Sequence, residues 1–325
     1  MQTRTLAGRP VSVIGLGTWQ LGADWGPVDD AEAFDVLDAA YDAGVTFFDT
    51  ADVYGDGRSE RLIAAWRASR PDAEVVVATK MGRRVEQRPE NYTPAAMRAW
   101  NDRSRANLAV DTLDLVQLHC PPTALYALDA VFDDLDAMVA EGRMAAYGVS
   151  VETCAEALAA IARPHVASVQ IILNPLRRKP LEQVLPAAAA AGVAIIARVP
   201  LASGLLSGRY DATTTFPADD HRTYNRHGEA FDVGETFSGV PYDVGLEAVA
   251  ALRGIVPDGV ATAAFALRWA LDQAGVTTVI PGARNRAQAE GNAAAAALPS
   301  LTAEQLAAVA EVYDRLVRPL VHDRW

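Results

Sequence analysis

The sequence is poor in the features that would tie a chain to an oxidising compartment, a membrane or a polyanion. It has two cysteines in 325 residues, Cys120 and Cys154. That is too few for a disulfide framework and suits a reducing compartment. The formal net charge of −12 argues against nucleic acid or an anionic membrane as partner. It leaves room for an anionic cofactor, because local basic residues can overrule the global field. No apolar run reaches membrane-spanning length, and the opening "MQTRTLAGRP" carries no hydrophobic signal segment. The expectation is a cytoplasmic protein. A glycine-rich phosphate loop of the G-x-G-x-x-G type is also missing, since Gly15, Gly17 and Gly22 have the wrong spacing. No break in composition marks a second domain, so residues 1–325 are read as one.

What is present is a repeat of pattern. Short apolar, β-branched runs alternate with longer Ala/Leu-rich amphipathic stretches. The runs are 11–19, 45–52, 74–80, 113–119, 144–150, 168–174, 193–200 and 276–282. They lack strict alternation, which suggests strands buried on both faces. Between them, "DDAEAFDVLDAAYDAG" carries Phe34, Leu37 and Tyr41 at helical spacing and stops at Gly44. Thr93 followed by Pro94 reads as an N-cap and first turn, and Thr302 as another N-cap. Strand–helix units in this number predict an α/β fold, a (β/α)8 TIM barrel. A doubly wound sheet is the alternative. "TRTLAGRPVSVIG" predicts an N-terminal hairpin capping the barrel bottom. A helix around 243–253 is expected before the seventh barrel helix, and an extra C-terminal helix follows Thr302. The long loop after strand seven, 201–242, is polar and rich in Gly and Thr. A structureless stretch of that length is usually a functional lid or disordered.

Barrel enzymes work at the C-terminal ends of their strands. Asp49 falls there on strand two with Tyr54 just beyond, Lys80 on strand three, His119 on strand four and Ser150 on strand five. Gln170 and Asn174 lie in or at the end of strand six. An acid, a phenol, a cation, an imidazole and amide groups thus reach one face. A phenol has an ordinary pKa near ~10 and donates poorly at neutral pH. A nearby ammonium stabilises the phenolate and pulls that value down. A carboxylate keeps the ammonium charged, and a histidine can orient a carbonyl. Such a group suits protonation of a carbonyl oxygen as hydride reaches its carbon. The hydride must come from a cofactor.

The stretches "IGLGTWQLG", "FFDTADVYG", "VATKMG", "LDLVQLH", "YGVS", "VPLASGLLSGRY", "ALRWAL" and "VIPGARN" together resemble the aldo-keto reductases, in particular the bacterial NADP-dependent type. The resemblance implies a catalytic tetrad. Tyr54 would be the general acid, Lys80 would lower its pKa, Asp49 would pair with Lys80, and His119 would position the carbonyl. It implies a nicotinamide carboxamide beside Ser150 and Gln170, with Val151 where the family usually has Asn. Thr18 and Trp19 follow strand one at the cofactor and substrate. Arg198 aligns with an aromatic that often stacks on the nicotinamide. Backbone N–H groups of Leu201, Ser203, Gly204 and Leu206 would wrap the pyrophosphate, with Arg209 as counter-charge. Gly282, Ala283, Arg284, Gln288 and Asn292 match the adenosine-phosphate segment. Arg284 and Arg286 could pair with a 2′-phosphate, which favours NADPH over NADH, although the lysine often found at the position of Gly282 is absent.

Plainer readings stand beside these. Asp52 reads as a support behind the site or as structural, and Asp56 as a solvated turn residue in "GDG". Cys120 reads as a small buried residue. His221, Tyr224, Arg226 and His227 read as part of a mobile lid, and no metal site is assigned. Trp25 and Tyr126 could be core or rim. The expected partner is a small-molecule carbonyl, with neither nucleic acid nor membrane. Monomer and homo-oligomer both remain open. Three functions stay in view: a carbonyl reductase, an NAD-dependent sugar or alcohol dehydrogenase running in the oxidative direction, and a cofactor-binding sensor or regulatory subunit.

Overall fold

Two positive-φ residues, Ala7 (48°) and Gly8 (76°), turn the chain between β1 (Thr3–Leu6) and β2 (Arg9–Ser12). Such a pair matches the twist of an antiparallel hairpin. Leu6 and Val11 from this hairpin pack with Phe47, Val76, Ala78, Leu115, Ile196 and Ile280. Those partners come from the barrel strands, so the hairpin closes the barrel bottom as the sequence predicts. The structure is a computed structural model and describes residues 1–22 and 28–325. Trp25 lies outside the described residues.

The barrel strands are β3 (Leu16–Gly17), β4 (Phe47–Asp49), β5 (Val76–Met81), β6 (Leu115–His119), β7 (Tyr147–Ser150), β8 (Val166–Ile172), β9 (Ala194–Arg198) and β10 (Val276–Val279). All pair in parallel with their sequence neighbours to form one eight-stranded sheet. Bridges Ile14↔Val279 and Gly17↔Gly282 join the first strand to the last and close the ring.

The run at 11–19 is not one strand. Val11 and Ser12 belong to the hairpin, and only the stretch from Ile14 onward joins the barrel. The Ser12 hydroxyl donates to Ile14 O at 2.6 Å and accepts from Thr46 N at 2.9 Å. These local bonds compete with a continuous ladder and turn the chain from one sheet into the other.

Helices cover the outside, starting where capping side chains accept orphan N–H groups. Asp29, Thr153 and Thr302 each form a capping box, and Thr93 caps Pro94–Leu108. Gly44 (φ 90°) leads the chain from its helix into β4. Tyr242–Arg253 forms where a helix is expected. No helix among the described residues is long and apolar enough to cross a membrane.

The segment 201–242 differs from the expected structureless loop. It folds into short helical turns at Leu205–Ser207, His221–Tyr224, Val233–Glu235 and Phe237–Gly239. Its His221, Asn225, Phe237 and Ser238 are fully buried. Side chains from elsewhere hold it down. Asn174 Nδ2 donates to Val199 O (2.9 Å) and Ser238 Oγ (2.8 Å). Trp325 donates to Asp232 Oδ2 at 3.3 Å and lies under the Arg177 guanidinium, 3.6 Å from its ring centre. Its indole ring packs so close to Gly239 that a Cβ there would approach within 2.3 Å.

Candidate active site

Parallel register brings polar residues to one level of the barrel mouth. His119, Ser150 and Gln170 stand in one row across β6, β7 and β8. Lys80 pairs with Gln117 across β5 and β6. Asp49 ends β4, and Tyr54 follows in the next turn.

These side chains form a tight buried network. Lys80 Nζ donates to Asp49 Oδ1 (2.5 Å), Thr50 O (2.9 Å) and Tyr54 Oη (3.2 Å), using all three of its N–H groups. Asp49 Oδ2 accepts from Gln170 Nε2 (2.7 Å) and Gln117 Nε2 (3.2 Å). Gln117 was missed from sequence, although it sits two residues before His119 on the same strand. Tyr54 stacks beneath Trp19 at 5.9 Å and meets the His119 ring edge-on at 6.1 Å.

Burial opposes charge on Lys80, but Asp49 and Tyr54 more than offset it and hold its pKa above the ordinary value. For Tyr54, burial pushes the pKa up, Lys80 pulls it down and Asp49 pushes it up again. The net direction is upward, which corrects the expectation that the ammonium would leave the phenol more acidic than usual. Desolvation of the phenolate exceeds the gain from one cation that is already shared with a carboxylate. Burial, then Arg83, Lys80 and Arg198, keep His119 well below its ordinary value, so its ring is neutral.

Above this floor lies a cavity of about 830 Å³. Thr18, Trp19, Asp49, Tyr54, His119, Ser150, Gln170 and Arg198 line its inner part. Leu201, Ser203, Gly204, Arg209, Gly282, Arg284, Gln288 and Asn292 line its outer arm. Four expected residues do not line it. Lys80 is buried beneath the floor, and Leu206 and Ala283 are buried behind the wall. Arg286 turns to Asp35 (2.5 Å) and Glu290 (3.4 Å) on the surface, leaving Arg284 as the cation of that pair facing the cavity.

The 201–208 turn also differs from expectation. The N–H groups of Gly204 and Leu206 already donate to Leu201 O at 3.0 and 3.1 Å, so neither is free for a phosphate. Ser203 Oγ is spent on Glu235 O at 2.5 Å. The Leu201 and Ser203 N–H groups donate to no backbone carbonyl among the described residues. At the outer arm, Arg284 N donates to Gln288 Oε1 (2.9 Å), and Asn292 Nδ2 to Gly282 O (3.1 Å). Asn285 caps Arg286–Ala294, whose N-terminus favours an anion. Gln20, unexpected from sequence, lines the cavity and fills the space beside Gly282, where a Cβ would come within 2.1 Å of it.

Arg198 is not free to stack on a ligand ring. It pairs with Glu235 and donates to Val151 O at 2.9 Å, tying β9 to the 201–242 segment. The backbone near it departs from ordinary conformations: Cys120 (φ 49°), Val199 (49°), Ala202 (47°) and Ser203 (55°) are all left-handed. For a β-branched residue such as Val199 this is strained, and such strain clusters at functional sites.

The remaining residues fall as follows. Ser150 Oγ lies 3.6 Å from Cys120 Sγ, and burial pushes the Cys120 thiol up, away from nucleophilic character. Asp56 is exposed as expected, yet it has partners, accepting from Arg84 and from Arg103 (2.9 Å). Asp52 is fully buried, and among the described residues neither of its carboxylate oxygens is hydrogen-bonded. Tyr126 is core. His221 packs on Trp19 at 5.0 Å, above the cavity.

Comparison with known proteins agrees with this architecture. The aldo/keto reductase family model matches residues 13–314. An oxidoreductase of Mycobacterium tuberculosis is 34% identical over 295 residues, covering 88% of this chain and 84% of its own. The solved glycerol dehydrogenase of Gluconobacter oxydans superposes with a TM-score of 0.80 at 30% identity, covering 97% of this chain and 96% of the other. An aldo-keto reductase of Klebsiella pneumoniae, solved in complex with NADPH, gives 0.69 at 25% identity, with coverage of 96% and 95%.

Proposed function

This chain belongs to the aldo/keto reductase family, and from that premise we propose that it reduces an aldehyde or ketone to the alcohol with NADPH, Tyr54 delivering the proton. The observation that carries this reading is the chain of contacts from Asp49 through Lys80 to Tyr54, at 2.5 and 3.2 Å. A bound reduced nicotinamide supplies hydride to the carbonyl carbon. The chain's residues do the rest. The raised pKa of Tyr54 keeps the phenol protonated at neutral pH until the carbonyl oxygen gains charge. Tyr54 Oη then gives its proton to that oxygen, and the Lys80 ammonium stabilises the phenolate left behind. Asp49, braced by Gln117 and Gln170, keeps Lys80 charged and fixed. Neutral His119 can donate a hydrogen bond to the same oxygen without adding a competing charge.

The outer arm suits the cofactor's phosphates. Arg209 and Arg284 are exposed cations on its wall, and the N-terminus of Arg286–Ala294 adds a favourable dipole. Arg284 lines the cavity where Arg286 does not, which supports Arg284 as the partner of a 2′-phosphate. Tyr54→Phe tests the mechanism. Reduction should fall by roughly 10³-fold, within the range for loss of a general acid, while nicotinamide fluorescence still reports cofactor binding. Turnover that survives the substitution would remove Tyr54 from the proton path.

A further inference from the structure

Five arginines line the cavity, Arg83, Arg198, Arg209, Arg222 and Arg284, and the proton-transfer scheme uses none of them. Arg83 follows β5 three residues after Lys80 and lines the same cavity as Tyr54, His119 and Trp19. Its side chain is partly exposed to the cavity, at 23%. Only one of its N–H groups has a partner among the described residues: Nη2 donates to Glu152 Oε1 at 3.2 Å. Its guanidinium carbon lies 5.9 Å from the Phe231 ring centre.

The other cations near Tyr54 are committed. Lys80 is saturated by Asp49, Thr50 O and Tyr54. Arg198 is held by Glu235 and Val151 O. Arg222 is held by Asp220 and Tyr210, each at 2.5 Å. Arg83 alone among these meets its carboxylate through a long contact and has no second hydrogen-bond partner among the described residues. After burial, Arg83 comes ahead of Lys80 and Arg198 among the groups that hold His119 below its ordinary value.

We infer that Arg83 forms an anion subsite at the inner end of the cavity, so that the preferred carbonyl substrates carry a carboxylate or phosphate group beyond the reacting carbon. The planar guanidinium can take such a group in two parallel hydrogen bonds, and Glu152 is the internal anion that it would exchange. Trp19 and Phe231 supply flat apolar walls for the carbon skeleton between the two ends. This inference rests on the carbonyl-reductase reading, and its test separates the two.

The probes are 4-carboxybenzaldehyde and its uncharged methyl ester, with glyceraldehyde 3-phosphate against glyceraldehyde as a second pair. The native enzyme should favour the charged member of at least one pair in kcat/KM, with the preference residing in KM. Arg83→Gln should reduce the charged-to-neutral ratio at least tenfold, and Arg83→Lys should restore part of it. Glu152→Gln, which leaves Arg83 in place, should raise the ratio. Which pair responds identifies carboxylate or phosphate. Unchanged ratios in both Arg83→Gln and Glu152→Gln overturn the subsite. If no aldehyde is turned over, benzoate and methyl benzoate are compared as ligands of the enzyme–NADPH complex by nicotinamide fluorescence. Benzoate binding that is lost in Arg83→Gln upholds the subsite while the reductase reading fails. Equal binding of the acid and the ester overturns the subsite.

Discussion

The floor and the roof of the cavity are both polar and both buried, yet they are held together in different ways. The floor is built by register. Parallel strands deliver Asp49, Lys80, Gln117 and Gln170 to adjacent levels, and their contacts run between nearby strands or straight across the barrel, as from Asp49 on β4 to Gln170 on β8. The roof, residues 201–242, has no regular ladder. It is fastened by single points reached from afar: Arg198 to Glu235, Asn174 to Ser238, and Trp325 to Asp232. A floor of this kind fixes distances between reacting groups, while a pinned roof fixes the volume above them. Damage to the floor should therefore appear in turnover, and damage to the roof in substrate affinity and stability.

The largest expected effect belongs to the floor. Asp49→Asn removes the countercharge of a fully buried ammonium, and breaking a buried pair costs about 3–5 kcal/mol. We expect turnover to fall by roughly 10³-fold, with Lys80 losing its proton more readily, so that the pH–rate profile bends at lower pH than in the native enzyme. A loss confined to KM would erase the distinction between floor and roof.

Glu235→Ala strikes the roof. It strands the buried Arg198 guanidinium at a similar nominal cost of about 3–5 kcal/mol, part of which a roof without a ladder can recover by letting water in. The expected result is a lowered melting temperature and a KM raised about tenfold, with kcat changed less than threefold. A collapse of kcat with unchanged KM would mean that the roof takes part in the chemistry.

A smaller effect sharpens the contrast inside the floor's own loop. Asp49 and Asp52 are three residues apart and equally buried, but neither carboxylate oxygen of Asp52 is hydrogen-bonded among the described residues. Burial first, then Glu60, raise its pKa to about 7 against the pull of Arg84 and Arg103. An acid whose folded pKa is raised contributes stability at low pH that is lost as pH climbs through the folded value. The native protein should lose stability between about pH 4 and pH 7 on this account, by at most a few kcal/mol. Asp52→Asn should flatten that slope, measured as melting temperature at pH 5 and pH 8. Parallel slopes in the two proteins would show that Asp52 finds a partner in solution.

The same contrast explains what the sequence could disclose. Strands of period two and helices of period 3.6 leave marks in a single chain, so the barrel, its hairpin and the mouth positions of Asp49, Tyr54, Lys80 and His119 were legible. Bonds between residues far apart leave no periodic mark. Nothing in "GETFSG" announces that Glu235 meets Arg198, or that Trp325 packs against Gly239. Arg286 misled for a related reason: its neighbour Arg284 has the same chemistry, and only the helix geometry decides which of the two faces the cavity. The fate of Tyr54's proton was also beyond reach, because it depends on how far burial outweighs one shared cation.

The crowding of Gln20 against Gly282 ties the two positions together. A side chain at position 282 meets the Gln20 amide, the far end of a flexible side chain that can swing aside. Adding a lysine there to strengthen the grip on an anionic ligand would therefore change two groups on the cavity wall at once: the new cation, and the amide that it displaces.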